Sequence, residues 1–137
     1  MAKVKGTDIY VEVNTGTEQS PVWTKVGGQS EATLTLSAGT IDVTDKDSQG
    51  WEEALLGNRS AELEFDAFLI EDDDGYEALK TAFLGGTELD LRLTTPTKTY
   101  RGKFILTELP IESPGDDAAT VSFSLKANGA ITEADRV

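Results

Sequence analysis

Apolar and polar positions alternate most clearly over Arg59–Leu69, RSAELEFDAFL. Successive side chains of a strand point to opposite sides, so Ala61, Leu63, Phe65, Ala67 and Leu69 share one face. Ser60, Glu62, Glu64 and Asp66 share the other. Such a strand needs a core behind it and water in front. The design recurs at Glu88-Leu89-Asp90-Leu91-Arg92-Leu93. Earlier in the chain, Ile9, Val11 and Val13 alternate with Asp8, Tyr10 and Glu12, and Asn14-Thr15-Gly16 reads as a turn. A weaker run, Val22 to Val26, follows Ser20-Pro21, and after Gly27-Gly28 a third strand turns Ala32, Leu34 and Leu36 inward. Three more strands finish the chain: Glu88 to Thr94, Lys98 to Thr107, and Ala119 to Ala127. The last has Ala119, Val121, Phe123, Leu125 and Ala127 on its apolar side.

Between Ser37 and Asn58 the alternation fades. Ile41 and Val43 suggest a short strand, Asp45 to Gln49 a polar tip, and Trp51 to Leu56 a helical turn ended by Gly57. Some twenty residues without a strong element are long for a loop in a compact domain, which points to function or disorder. One segment reads as a helix, with Asp74 as its cap, Glu77 three residues on, Tyr76, Leu79 and Phe83 on one face, and Gly85-Gly86 as its stop. Asn128 to Val137 has little periodicity and reads as an arm. The expected fold is therefore mainly β: one domain over residues 1–137, an antiparallel β-sandwich or open barrel of seven to eight strands with one flanking α-helix.

Composition narrows the chemistry. Zero cysteines exclude disulfides and thiolate metal sites, and zero histidines remove the commonest general base and zinc ligand. Twenty-five acidic residues against twelve basic ones give a net charge of −13, which repels phosphate backbones and anionic membranes. The N-terminal MAKVKGTDIYVEV holds no apolar run of signal-peptide or membrane-span length, so synthesis in the cytoplasm is expected.

The candidate motifs favour bland readings. Glu71-Asp72-Asp73-Asp74-Gly75 has the composition of a calcium loop. With Gly75 as the loop's sixth residue, however, the first and twelfth ligands would be Ile70 and Thr81, so helix capping explains the acids better. Glu62 and Glu64 lie two apart on a solvated face, where nothing forces their pKa values apart as glycoside hydrolysis requires. Trp23, Trp51, Tyr10 and Tyr100 could form a sugar-stacking platform, but such aromatics are more often core or interface anchors. Trp51, beside Asp47-Ser48-Gln49-Gly50, fits a partner surface better than a ligand site. Neither Gly27-Gly28 nor Gly85-Gly86 lies in a phosphate-binding fingerprint. No catalytic residue, metal ligand or cofactor is expected.

The order of parts resembles the major tail tube proteins of long-tailed, non-contractile, siphovirus-type bacteriophages. The resemblance runs through GGQSEATLTLSAGTIDVTDKDSQGWEEALLGNRSAELEFDAFL, then DDDGYEALKTAFL, then TYRGKFILTELPIESPGDDAATVSFSLKANGAI, and covers nearly the whole chain. It implies a tail-tube β-sandwich with a flanking helix, six copies per ring, and stacked rings forming a hollow conduit for DNA ejection. It places the protein in the virion tail, with tail terminator, tail-tip and tape-measure proteins as further partners. By the same resemblance, the arm 1–6, the long loop 37–58 and the tail 128–137 are assembly elements, with Ile41, Val43, Asp45, Lys46, Asp47 and Trp51 as inter-subunit or inter-ring candidates. Subunit sheets would join edge to edge around the lumen, which also resolves the liability of open edges. The loop is expected to be disordered until a neighbour covers Ile41, Val43 and Trp51.

Charge supports the conduit independently. A lumen lined with carboxylates repels DNA over about a Debye length, roughly 8 Å, so that the genome passes without specific binding. The lumen candidates are Glu62, Glu64 and Asp66, with Glu88 and Asp90 next, and the Thr120-Ser122-Ser124 face as a competitor. Two rival functions remain: a tube protein of a contractile tail or secretion injector, and a monomeric carbohydrate-binding or adhesion sandwich.

Overall fold

The computed structural model describes residues 3–135. Its strands are β1 (Tyr10–Asn14), β2 (Trp23–Lys25), β3 (Gln29–Asp42), β4 (Ala54–Phe68), β5 (Leu89–Thr94), β6 (Lys98–Glu108), β7 (Ile111–Glu112), β8 (Thr120–Ala127) and β9 (Thr132–Asp135). A single helix, α1 (Asp74–Gly85), lies between β4 and β5. All nine strands belong to one antiparallel sheet in the order β2-β1-β5-β6-β8-β4-β3, with β7 on β8 and β9 on β6. The seven strands of that path match the expected seven to eight, and the short β7 and β9 bring the described residues to nine.

The sheet curls back on itself. Gln29, at the start of β3, accepts from the Val11 backbone N–H through Oε1 (2.9 Å) and donates from Nε2 to the Val11 carbonyl (2.8 Å). One side-chain amide thus does the work of a strand residue beside β1, bringing the two flanks of the sheet together. Inside the curl, Val11, Val13, Leu63, Phe65, Leu91, Phe104, Phe123 and Leu125 form the core. Phe65 and Phe123, directly opposed on β4 and β8, stack with ring centroids 4.6 Å apart.

Helix α1 closes the curl. Its cap is Asp73, not the expected Asp74: Asp73 Oδ2 accepts from the Tyr76 N–H at 3.0 Å and from the Gly27 N–H at 3.1 Å, so one carboxylate caps the helix and ties it to the segment after β2. Gly75 presses against Val26, whose Cα would lie 2.9 Å from any Cβ added there. The buried face is Tyr76, Leu79 and Ala82. Phe83, expected on that face, is 43% exposed, because Ala82 takes the inward position. Gly86 ends the helix in the left-handed region (φ 69°), which glycine enters without a Cβ penalty.

The largest departure from the sequence reading is residues 37–58. Residues 37–42 and 54–58 are strand, so only 43–53 connects them, and Trp51 to Leu56 is not a helical turn. β3 and β4 continue as a ladder through Thr40–Leu56, Ile41–Leu55 and Asp42–Ala54. A register shift interrupts the ladder between Ala38 and Thr40, where Gly57 lies so close to Gly39 that an added Cβ would meet its backbone at 3.1 Å. The tip has its own order: Val43 N–H donates to the Glu53 carbonyl (3.0 Å), Glu53 N–H to Thr44 Oγ1 (2.8 Å) and Thr44 N–H to Asp42 Oδ1 (2.9 Å). Backbone pairing thus shapes most of the segment that the sequence pattern leaves without an element.

The tail is corrected in the same way. Instead of a free arm, Thr132–Asp135 forms β9 on β6, and Ile131 packs above Gly102, where an added Cβ would meet Ile131 Cδ1 at 2.5 Å. At the other end, the first three residues of the expected arm's described part are exposed and Gly6–Asp8 is a 3-10 turn. Met1, Ala2, Arg136 and Val137, parts of the two expected arms, lie outside the described residues.

Candidate functional site: the carboxylate face and the projecting hairpin

Glu62, Glu64 and Asp66 stand on the face of β4 that points away from the core, all three exposed. Register decides their neighbours. Towards β3 they oppose Thr35, Thr33 and Glu31, and towards β8 they oppose Lys126, Ser124 and Ser122. Side chains directly opposite across a ladder point the same way. The acidic row and the Thr120-Ser122-Ser124 row, competitors in the sequence reading, are thus a single face of carboxylates and hydroxyls.

Glu88 and Asp90 are placed differently. Glu88 precedes β5, is exposed, and accepts from Asn128 Nδ2. Asp90 is only 8% exposed at its side chain and is held by Arg101, with Nη2 to Oδ2 at 2.6 Å and Nε to Oδ1 at 3.1 Å. This forked pair pushes the Arg101 guanidinium above its ordinary pKa, chiefly through the hydrogen bond to Asp90. Asp90 therefore adds little net charge to the surface.

Next to it lies a cluster absent from the sequence expectations. Glu12, expected on a wet face, is buried: Oε1 accepts from Arg92 Nε at 2.9 Å and from Thr94 Oγ1 at 2.7 Å. The Trp23 ring carries the Arg92 guanidinium 4.4 Å from its centroid and the Arg101 guanidinium 5.1 Å from it. Trp23 is therefore a lid over two charge pairs rather than a sugar platform. The signal in sequence is the outward register of Trp23, Arg92 and Arg101, which becomes visible only once β1 is known to pair with both β2 and β5.

The assembly candidates gather at the far end of the β3–β4 hairpin. Ile41 is 54% exposed, Val43 39% and Trp51 77%, while Asp45, Lys46 and Asp47 form the polar tip around a 3-10 turn at Lys46–Ser48. Sequence reasoning missed Leu55 and Leu56, 58% and 66% exposed, because they were read as a helical turn. Opposed residues share a side, so Ile41 with Leu55 marks one side of the hairpin and Leu56 with Thr40 the other. Each side of this projection carries an uncovered leucine, with Thr40 and Asp42 beside Leu56. Thr44 holds the Asp42 carboxyl below the usual carboxylate range, first through its backbone N–H and then through its hydroxyl.

Among the described residues no group of His, Cys, Asp and Glu is arranged to hold a metal ion, and no helix is long and apolar enough to cross a membrane.

Comparison with solved structures gives the fold a context. The chain is similar to the tail of an empty gene transfer agent particle with C6 symmetry, at 22% identity over 93% of this chain and 96% of that one, with a TM-score of 0.83. It is similar to the SPP1 tail tube at 12% identity, 98% and 81% coverage and a TM-score of 0.80. A weaker likeness, 11% identity with 98% and 93% coverage and a TM-score of 0.66, links it to the sheath–tube complex of an extracellular contractile injection system. At these identities the likenesses establish a shared fold. No curated protein matches the sequence significantly. The decisive match is to the phage tail tube protein family, over residues 3–133, so the chain belongs to that family.

Proposed function

We propose that the protein is a non-catalytic structural subunit of the virion tail, six copies to a ring, with stacked rings forming the tube through which DNA is ejected. The observation that carries this reading is the projecting half of the β3–β4 hairpin, paired along its backbone yet bearing uncovered apolar side chains, Ile41 and Leu55 on one side and Leu56 on the other. A solitary domain gains nothing from exposing Trp51, Leu55 and Leu56 together, whereas an assembly buries them. Ile41, Val43 and Trp51, with the charged Asp45, Lys46 and Asp47, are the inter-subunit or inter-ring contacts. The unpaired outer edges of β2 and β3, the two ends of the sheet order, are where neighbouring sheets join around the lumen.

In this reading Glu62, Glu64 and Asp66, with their hydroxyl neighbours on β8, face the lumen. Glu88 extends the acidic surface, while Asp90 contributes less because Arg101 neutralises it. DNA then slides past without specific binding. Tail terminator, tail-tip and tape-measure proteins are the partners at the tube's ends and interior, and the chain is made in the host bacterial cytoplasm.

Negative-stain microscopy of concentrated protein tests the proposal. Hollow rods or rings with six-fold symmetry are expected. A protein that stays monomeric at every concentration, and whose melting temperature rises with sugar or calcium, would overturn it in favour of a carbohydrate-binding sandwich. The likeness to the injection-system tube gives a second reading, a tube inside a sheath. Binding of the assembled rods to a sheath protein would favour that one.

A further inference from the structure

The curled sheet splits at one place. β8 pairs with β4 only from Glu62 to Phe68, so the β4 edge from Ala54 to Ala61 has β3 on one side and no strand on the other among the described residues. β9 runs on from β8 along β6, and likewise has no strand on its second edge. Between the two diverging edges lies an open groove of about 750 Å³. Its walls include Leu36 and Ala61 from the hairpin and Ala127 and Ile131 from the β8–β9 junction. Arg59 lies two residues from Ala61 along β4, on the same side, and has no carboxylate partner among the described residues.

From this geometry we propose that the groove receives the hairpin tip of a second copy of this chain: Trp51 enters the groove and Glu52 and Glu53 meet Arg59. The inference rests on the tube reading above and names the surface that accepts the hairpin. Three observations select this occupant. Trp51 is 77% exposed, the most exposed aromatic side chain, and an indole entering a groove of this size, lined partly by apolar Leu36, Ala127 and Ile131 and partly by polar Asn58, Ser60 and Lys126, has large area to bury. Glu52 and Glu53 flank it and make no ion pair among the described residues, so the tip's charge complements the groove's.

The third is reach. The groove sits at the base of the same hairpin: Arg59 and Ala61 lie eight and ten residues from Trp51 along the chain, roughly 26–33 Å of extended strand. A tip cannot fold back onto its own groove without breaking the ladder, so the occupant must be another molecule. Because tip and groove are different surfaces, the contact is head-to-tail: each copy gives a tip and receives one, and the arrangement propagates rather than stopping at a dimer.

The chain contains no cysteine, so an engineered pair is the only route to a disulfide. The test is the double variant Gln49→Cys with Ala130→Cys, assembled and oxidised, beside each single variant. The double variant is expected to give a ladder of covalent multimers, while Gln49→Cys alone and Ala130→Cys alone, with one thiol per chain, give nothing beyond dimer. Charge reversal is the second arm. Arg59→Glu, or Glu52→Lys with Glu53→Lys, raises the concentration needed for rods at least tenfold, and the triple variant carrying all three brings it back towards wild type. Rods from the double-cysteine variant without a ladder, or a triple variant no better than its parents, would overturn the groove while leaving the tube intact. Wild-type protein that forms no rods at all would overturn both.

Discussion

One strand pair contains two chemically opposite regions. Where β4 lies under the curl, Ala61, Leu63, Phe65 and Ala67 are at most 3% exposed. A few residues earlier on the same strand, Leu55 and Leu56 are more than half exposed. The backbone ladder runs through both. What differs is the cover: helix α1 and the inner faces of β1, β5, β6 and β8 close over the first region and stop before the second. Hydrogen bonding thus fixes the conformation of the hairpin along its length, while burial stabilises only part of it. Apolar side chains on a rigid but bare element point to cover supplied from outside.

This contrast can be broken from the covered side. Phe65→Ala removes the ring stacked on Phe123 and leaves a cavity, so a loss of about 3–5 kcal/mol is expected in denaturant unfolding. Glu12→Ala strips Arg92 and Thr94 of their shared acceptor and is expected to cost about 2 kcal/mol by the same measurement. If it cost nothing, the Trp23 lid would not be sealing that part of the face. Asp73→Ala removes the cap that also holds Gly27, and a loss of about 1 kcal/mol is expected.

On the uncovered side the expectation reverses. Leu55→Asp with Leu56→Asp changes the stability of the dilute chain by no more than about 0.5 kcal/mol, yet abolishes rods in microscopy. A large fall in stability would mean that the hairpin is covered within its own chain. The smallest effect concerns β9, which flanks the bare region. Asp135 titrates below the usual carboxylate range and Lys98 above the usual lysine range, each chiefly through their mutual hydrogen bond. A depressed carboxylate stabilises the fold above its unfolded pKa and loses that contribution as pH falls through its folded value. A raised lysine stabilises below its unfolded pKa and loses it as pH rises through its folded value. Protection of the β9 amides, after correction for intrinsic exchange rates, is therefore expected to be greatest across the neutral range and to fall modestly, relative to the core strands, in acid and in strong alkali. Both groups are exposed, so the change is small and salt weakens it.

The covered region was legible in sequence because Ala61 to Leu69 obeys one period without interruption. The projecting region was not, for a physical reason. The register shift beside Gly39 and Gly57 breaks the alternation, and apolar residues on both sides then carry no inside-outside signal. The helix was found but its details were not: three consecutive aspartates offer three caps, and only the contact with Gly27 selects Asp73. Glu12 looked like any outward strand carboxylate, since Arg92 and Thr94, which hold it, are distant in sequence. Among the candidates, the acids of β4 were placed away from the core by period alone. Their union with the β8 hydroxyls needed the register.

The central claim is that the bare hairpin is covered by other copies of the chain. Hydroxyl-radical footprinting, read residue by residue in dilute chain and in assembled rods, measures that cover directly. Oxidation of Trp51, Leu55 and Leu56 is predicted to fall several-fold on assembly, while Phe65 and Phe123 stay protected in both states. Equal oxidation of Trp51, Leu55 and Leu56 in the two states would contradict the account.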